Sequence, residues 1–592
     1  MTAPSLYRWI VTRQNNIYGS LKLNGYHPVC KKIVLSRFGA NHSTDLVSML
    51  IFIYLLLLAG VFFTLNQNFF LIYIGCIVDV YVIYLIFKVT KNWSNKLLAV
   101  VPLVLGIIYI VQLYSVYAVG GYLSPLAIQN AQTAYTTDIK YTLLIWVLLI
   151  FALVYLVEMV RPQKQNKNTT AAIIVPLYLL SIPIAPLANN FSVNVLESPI
   201  RSFALSAYAA YFNPNKKSDI NFLQIGSLRK RQVYEYRNKY INVSDKNIVV
   251  IFSEGISSRW IAPYGGIYSD LTPNLNKLYG ESFVIDNYYN HTAATFRGLR
   301  GQLLSSFQRI GGSNVEKTGL MQRQDSIKSK FNWTYPVEAL KDEGYKSYFY
   351  LSQENVLNKM LETLKFDEVY GRTKLSELYL DGKIDSKVLT DKQLFESMLK
   401  SLIEKNEKGE KFFAALYNFD THNNLNAEIS YRGLNNEVLN RLKKFDSIFG
   451  DFLQEFKKSR LSENTVLIFT SDHSTFPDRH ARSADPRMPH FFVDKIPFLI
   501  YGNGIKHNIF DAEGATSIAF MPTLLDFLGI KNFSNMMIGC SMFEKCSANR
   551  LIVIGDERFQ TSREGFVPIK NNNEFHKQHQ IVDLSLNLSD FN

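Results

Sequence analysis

The stretch Val466-Leu467-Ile468-Phe469-Thr470-Ser471-Asp472-His473 reads as a short apolar strand that stops on two metal-ligand side chains. A β-branched run of this length, bounded by polar residues, is the pattern of a strand covered on both faces. Ile248 to Phe252, leading into Ser253-Glu254, repeats it two hundred residues earlier. Further runs at Ser347 to Leu351, Phe412 to Leu416 and Phe498 to Tyr501 alternate with charged, helical stretches such as Ser386 to Asn406 and Asn436 to Ser459. That alternation predicts an α/β domain with a central, mostly parallel sheet and flanking helices. In such sheets, sites gather at the carboxyl ends of strands. Glu254 and Asp472-His473 occupy that position in two separate units.

A third stretch, Asn290-His291-Thr292-Ala293-Ala294-Thr295-Phe296-Arg297-Gly298, supplies hydroxyls. A threonine is a poor nucleophile until a base or a cation removes its proton. Taken singly, Thr292 reads equally well as a loop or cap residue, and Glu254 as a turn carboxylate. Taken together with Asp472 and His473, they point to a metal-activated hydroxyl at Thr292. The mixed oxygen and nitrogen set suits one divalent metal, zinc by preference and manganese as the alternative. Asn290-His291-Thr292 also matches the glycosylation sequon, but a glycan there would block the proposed nucleophile.

The chain of 592 residues is too long for one ordinary domain, and its mean hydropathy of zero averages an apolar part with a polar one. Five apolar segments, Asp45 to Leu65, Phe69 to Phe87, Leu97 to Val119, Tyr141 to Val160 and Ala171 to Asn189, each approach the ~20 residues that cross a bilayer as helix. Arg8, Arg13, Lys22, Lys31, Lys32 and Arg37 precede the first segment, Lys88, Lys91 and Lys96 follow the second, and Arg161, Lys164 and Lys167 follow the fourth. All fall on one side of an alternately threaded membrane domain, so the N-terminus is expected in the cytoplasm and everything after Asn190 outside. Removing those twelve from the 63 Lys and Arg leaves 51 against 50 Asp and Glu, which makes the external part near neutral and excludes a nucleic-acid role. The basic tail does not resemble a short cleavable signal peptide. The expected division is a membrane domain over 1–190, a connector with interfacial helices over 191–244, and a catalytic domain over 245–592. Asp79, in mid-segment, reads as an interhelical polar contact or a functional group. Cys540 and Cys546 lie outside the membrane and form either a disulfide or two free thiols.

At this point the external part resembles the alkaline phosphatase and sulfatase superfamily, in particular its membrane-anchored phosphoethanolamine and phosphoglycerol transferases, the latter including lipoteichoic acid synthases. The likeness rests, in order, on Ile248 to Gly255, Leu271-Thr-Pro-Asn-Leu275, Thr292-Ala-Ala-Thr295, Glu463 to His473, Ile496 to Tyr501, Met521 to Gly529 and Ile538 to Phe543, a span of about 300 residues. The resemblance implies Thr292 as phosphoryl acceptor and Glu254, Thr292, Asp472 and His473 as metal ligands. It implies substrate-binding roles for His422 and His480, with His490 as second choice to His480; Arg297 and Arg300 are candidates for a substrate phosphate. There are departures. Sulfatases need a cysteine where Thr292 stands, Ser474 replaces the usual glycine after Asp-His, no cysteines flank Thr292, and Leu351 to Lys359 lacks the Trp and Arg that hold glycerol phosphate in lipoteichoic acid synthases.

The function expected from this likeness is metal-dependent transfer of a phospholipid head group, phosphoethanolamine before phosphoglycerol, through a phosphothreonine-type ester. The donor is phosphatidylethanolamine or phosphatidylglycerol and the acceptor a cell-surface glycan or lipopolysaccharide. The setting is the bacterial cytoplasmic (inner) membrane, with the catalytic domain periplasmic or extracellular and the protein a monomer. A membrane-anchored phosphodiesterase or phosphatase and a catalytically inactive sensor are the competing readings.

Overall fold

The computed structural model describes residues 69–91, 100–119, 122–123, 128, 142–160, 198–211, 243, 245–308, 334–382, 386–422, 425–489, 491–530, 537–544, 546, 548–554 and 557–569. Helices α1 (Phe69–Lys91), α2 (Val100–Val119) and α3 (Thr142–Val160) overlie the second, third and fourth apolar segments, and α4 (Pro199–Tyr211) lies in the connector. The first and fifth segments, the basic tail and Cys30 fall outside the described residues. Among the described residues no helix is long and apolar enough to cross a membrane.

This part buries an apolar cluster that includes Val80, Ile110, Leu113 and Phe151, but it also buries polar groups and exposes apolar ones. Asp79 and Gln112 are fully buried, whereas Ile145, Trp146, Leu149, Leu153 and Leu156 of α3 are exposed. The buried polar groups receive the start of α4: Asp79 Oδ2 accepts the Ile200 N–H at 2.7 Å, and Gln112 Nε2 donates to the Pro199 carbonyl at 3.2 Å. Asp79 is thus an interhelical contact that satisfies an orphan donor of a helix's first turn. The connector helix begins docked on α1 and α2.

The α/β part follows as β1 (Asn247–Ser253), α5 (Pro273–Glu281), β2 (Phe283–Asp286), α6 (Thr295–Leu304), α7 (Pro336–Asp342), β3 (Lys346–Leu351), α8 (Val356–Thr363), β4 (Glu368–Tyr370), α9 (Arg372–Tyr379), α10 (Asp391–Glu407), β5 (Phe412–Tyr417), α11 (Glu437–Lys458), β6 (Thr465–Ser471), α12 (Arg479–Ala484), β7 (Phe498–Tyr501), β8 (Asn508–Asp511) and α13 (Phe520–Phe527). The sheet order is β4-β3-β5-β1-β6-β7-β2-β8. Only β7 runs antiparallel to its neighbours. Three closing strands, β9 (Leu551–Ile554), β10 (Glu557–Thr561) and β11 (Phe566–Pro568), make a small antiparallel sheet. β11 is the edge strand of that sheet, where Phe566 packs on Phe559 at 5.7 Å between ring centres.

The central strands explain why the sheet is covered twice. Ile248, Val250 and Phe252 join one apolar cluster with α6 and α13, while Val249 and Ile251 join the other with α10 and α11. Period-2 alternation thus puts large side chains on both faces, each worth about 1.5–3 kcal/mol when fully buried. Helices α10 and α11 start where side chains cap them: Thr390 Oγ1 accepts the Gln393 N–H at 3.3 Å and Asn436 Oδ1 the Leu439 N–H at 3.2 Å. Cys540 and Cys546 are disulfide-bonded.

Candidate metal centre and active site

β1 and β6 pair in parallel with Ser253 opposite Ser471, so the next residues, Glu254 and Asp472, leave the sheet side by side. The strand ends are tied: Ser471 Oγ donates to the Ser253 carbonyl at 2.6 Å, and the Asp472 N–H donates to the same oxygen at 3.1 Å. His473 follows, with Nε2 3.4 Å from Glu254 Oε1 and 3.3 Å from Asp472 Oδ2. Among the described residues these three buried side chains form a group whose donor atoms all lie within 4.8 Å of one another.

What each ligand does with its other polar atom shows the fit to a cation. Asp472 Oδ1 accepts the Gly255 and His473 N–H groups at 2.9 and 2.7 Å. Glu254 Oε2 accepts the hydroxyls of Tyr417 and, at 2.9 Å, Thr295. His473 Nδ1 lies 2.8 Å from the Ser474 carbonyl, an acceptor, so a proton sits on Nδ1 and Nε2 is the ring atom turned to the cluster. Asp472 Oδ2 is buried with no hydrogen-bond partner. The atoms left over, Glu254 Oε1, Asp472 Oδ2 and His473 Nε2, are the three that converge. Burial and the Glu254 charge push the Asp472 carboxyl well above the usual range. For Glu254, burial raises the pKa, but His473, His422 and the two hydroxyls outweigh it and hold it below its ordinary value. A divalent cation would remove the conflict between the two carboxylates.

The hydroxyl at this cluster belongs to Thr295. Thr292, the nucleophile expected from the sequence, is three residues away and faces elsewhere: its Oγ1 donates to the Val553 carbonyl at 2.8 Å. The Val553 N–H in turn donates to the His291 carbonyl at 2.9 Å, so residues 291–292 lean on β9 like an extra strand. The Asn290 amide donates to the Thr292 and Phe492 carbonyls at 2.8 and 2.9 Å, fully buried, which leaves no room for a glycan on it. Thr295 opens α6, where unpaired backbone N–H groups favour developing negative charge. The residue before it, Ala294, has φ 69°, a left-handed value that costs a residue with a Cβ of order 1–3 kcal/mol.

Helix α6 reaches the strand end because it carries glycines on the facing side. A Cβ at Gly298 would stand 2.3 Å from the Asp472 carbonyl oxygen, and one at Gly301 2.0 Å from His291 Nε2. Gln302 completes the seat by donating to the Ser471 and Asp472 carbonyls at 3.0 and 3.1 Å. His291 is itself buried against Ser517, Nδ1 to Oγ 2.6 Å, and burial pushes its pKa down to about 3.

Glu254, Thr295 and His473 open into a pocket that is also lined by Gly255, Ala294, Thr421, His422, Val438, Arg441, Leu442, Thr475, Phe476, Asp478 and Phe492, with a cavity of about 190 Å³. His422 is therefore brought to the site, its ring stacked on Phe419 at 5.0 Å. His480 is not. It sits half-buried on α12, and the pocket wall from that segment is Asp478, which caps the helix by accepting the Ala481 N–H at 2.8 Å. Arg297 is also absent from the pocket: it is buried, folds back to donate to the Ala293 carbonyl at 2.9 and 2.7 Å, and burial lowers its pKa to about 10. Arg300 is buried and points to Ser306 Oγ at 3.4 Å. His490 lies outside the described residues.

The sulfatase family model matches residues 246–530, the segment that carries the sheet and the cluster. Over those residues the chain carries a sulfatase domain. It is similar to the lipoteichoic acid synthase-like protein YvgJ of Bacillus subtilis (strain 168), 22% identical over 382 residues, and spans 60% of that relative's length with 60% of its own. It is also 26% identical to a phosphopentomutase of Kosmotoga olearia over 169 residues, 28% of this chain and 38% of the other. Among solved structures, that of the lipoteichoic acid synthase LtaP from Listeria monocytogenes matches with TM-score 0.47 and 15% identity, over 62% of this chain and 97% of that one. The alkaline phosphatase and sulfatase superfamily comprises hydrolases and transferases that use divalent metals, and Glu254, Asp472 and His473 form a candidate site for one.

Sequence reasoning missed several residues around this candidate site. Asn418 accepts the Glu254 N–H at 2.9 Å, and Thr421 donates to the Glu254 carbonyl at 2.7 Å. Asp391, buried at the start of α10, gathers the Asn418 amide and the Phe419 and Asp420 N–H groups at 2.8, 2.9 and 3.1 Å; burial, with Asp420, pushes its pKa up to about 7. The one sequence signal available for Thr295 was its place at the start of a helical run, Thr295 to Leu304, where Thr292 is still in the preceding loop.

Proposed function

We propose that this protein transfers a phospholipid head group, phosphoethanolamine in preference to phosphoglycerol, to a cell-surface glycan or lipopolysaccharide through a phosphothreonine ester on Thr295. The observation that carries the reading is the Thr295 hydroxyl hydrogen-bonded to Glu254 inside the Glu254, Asp472 and His473 group. Thr295 replaces Thr292 in this role. Glu254, Asp472 and His473, with the Thr295 oxygen, would hold one divalent metal, zinc before manganese, which when bound lowers the pKa of the alcohol and offsets charge on phosphoryl oxygens. Thr295 Oγ attacks phosphorus as its proton moves to Glu254 Oε2, to which it is already hydrogen-bonded, the bond from phosphorus to the diacylglycerol oxygen breaks, and that oxygen takes up a proton from His422 as diacylglycerol leaves. In the second half a glycan hydroxyl attacks the same phosphorus and Thr295 Oγ leaves. His422, across the pocket, serves as acid or base for that hydroxyl.

Asp478 with the rings of Phe476 and Phe492 offers an ammonium head group a carboxylate and π faces, which favours ethanolamine. Leu351 to Lys359 carries no Trp or Arg for glycerol phosphate. Similarity to the lipoteichoic acid synthase-like protein of Bacillus subtilis supports phosphoglycerol as the second reading. We further propose a bacterial inner-membrane protein divided at 1–190, 191–244 and 245–592, monomeric, with a cytoplasmic N-terminus and an external catalytic domain. Outward apolar side chains on α3 and the contact of α12, whose cap Asp478 lines the pocket, with α2 support a site held beside lipid. The test presents purified protein, zinc or manganese and a glycan acceptor with vesicles of phosphatidylethanolamine or phosphatidylglycerol. Diacylglycerol release with a modified glycan, faster from phosphatidylethanolamine, is the expected result. Release of free head group alone would mark a phosphodiesterase, and no release from either lipid would refute the reading.

A further inference from the structure

Tyr417 is used by none of the steps above, yet it stands at their centre. It ends β5, opposite Phe252 in the register of β1, so its side chain emerges beside Glu254. It is fully buried, and burial followed by the charges of Glu254 and Asp472 pushes its phenol well above the usual range, so it is present as a donor. Its hydroxyl donates to Glu254 Oε2 and lies 3.3 Å from Thr295 Oγ1. One phenol therefore touches both the carboxylate of the cluster and the hydroxyl at its edge.

The consequence is a division of labour within Glu254. Its Oε2 is saturated by Tyr417 and Thr295, and its peptide is held by Asn418 and Thr421. Oε1 alone is left turned towards His473 Nε2. Without the phenol, Oε2 would keep only the Thr295 hydroxyl, and the carboxylate could rotate so that either oxygen faced the cluster. We infer that Tyr417 is a positioning residue that fixes which oxygen of Glu254 serves as a metal ligand and holds Thr295 Oγ1 next to it. The inference rests on the reading of this cluster as a divalent-metal site, but not on the identity of the substrate. Partners of this kind, one shell outside a ligand, are typically worth about 10–100-fold in metal affinity.

The test is Tyr417→Phe, which removes one oxygen and keeps the ring, in the full-length protein. Zinc and manganese affinities are measured by competition with a chromophoric chelator, alongside thermal melting of the metal-free protein. The expected result is an affinity about tenfold or more weaker with the metal-free melting temperature little changed. Affinity equal to that of the unsubstituted protein would overturn the inference. Should the Phe variant fail to fold, Tyr417→Met asks the same question by the same titration. A protein that binds metal but releases no diacylglycerol from either lipid would contradict the proposed function and leave this titration decisive, so the two failures are told apart. Where transfer is measurable, kcat should fall at saturating metal with KM for the lipid nearly constant, a split that a purely structural role for the tyrosine would not produce.

Discussion

Two threonines three residues apart have opposite fates. Thr292 is in a loop that leans on β9 and spends its hydroxyl on the Val553 carbonyl, whereas Thr295 is the first residue of α6 and turns its hydroxyl to Glu254. Composition cannot separate them, since both sit in one block of small residues beside the start of one helix. The difference is set by where the chain changes from extended to helical: Ala294, at φ 69°, reverses the backbone between them and brings the helix end, not the loop, to the strand ends. Geometry around a nucleophile is thus decided by the turn that carries it.

The sharpest way to break this comparison is to remove each hydroxyl. Thr295→Ala should lower transfer by at least about a thousandfold in a lipid-release assay, since it deletes the covalent centre. Thr292→Val should retain most of the activity and appear instead as a lower melting temperature, from a lost buried hydrogen bond of about 0.5–1.5 kcal/mol plus the unsatisfied Val553 carbonyl. Equal losses of activity in the two variants would erase the distinction.

Next in size is the seat of α6. Gly298→Ala places a methyl against the Asp472 carbonyl, so backbone must shift, and a loss of about 1–3 kcal/mol in chemical denaturation is expected. Gln302→Leu should cost less stability but displace Thr295 from Glu254, and is expected to reduce kcat more than metal affinity. A crystal structure of that variant with α6 unmoved would contradict the role given to the amide.

An effect confined to acid concerns His291, which supports the Thr292 side of the loop. Its folded pKa of about 3 is depressed by burial below an unfolded value of about 6.5, so the folded state binds fewer protons. Stability from this group is therefore full above about pH 6.5 and is lost as pH falls towards 3, with a slope of up to about 1.4 kcal/mol per pH unit. His291→Gln should flatten the acid limb of a melting-temperature profile over that window, and an unchanged slope would show that another group sets it.

The comparison also marks what could be read from the chain. Strands β1, β3, β5, β6 and β7 and helices α10 and α11 were legible because buried parallel strands are apolar runs and their helices are capped and charged. Glu254, Asp472 and His473 were legible because each directly follows such a run. Strands β2, β4 and β8 were not: they are three or four residues long and carry little pattern. His480 was a substrate-binding candidate through the resemblance alone, but α12 begins at Arg479 and its cap, Asp478, takes the place at the pocket. Asp391, Asn418 and Tyr417 were illegible for a different reason. They act through a sheet register that joins residues 254 and 417 across more than a hundred and fifty positions, and no local pattern announces that.

The most direct measurement is peptide mass spectrometry of the full-length protein, quenched in acid after incubation with metal and donor vesicles and no glycan. The account predicts a head-group phosphoryl mass on Thr295, lost in Thr295→Ala and kept in Thr292→Val. The same mass on Thr292, or turnover with no modified threonine, would contradict it.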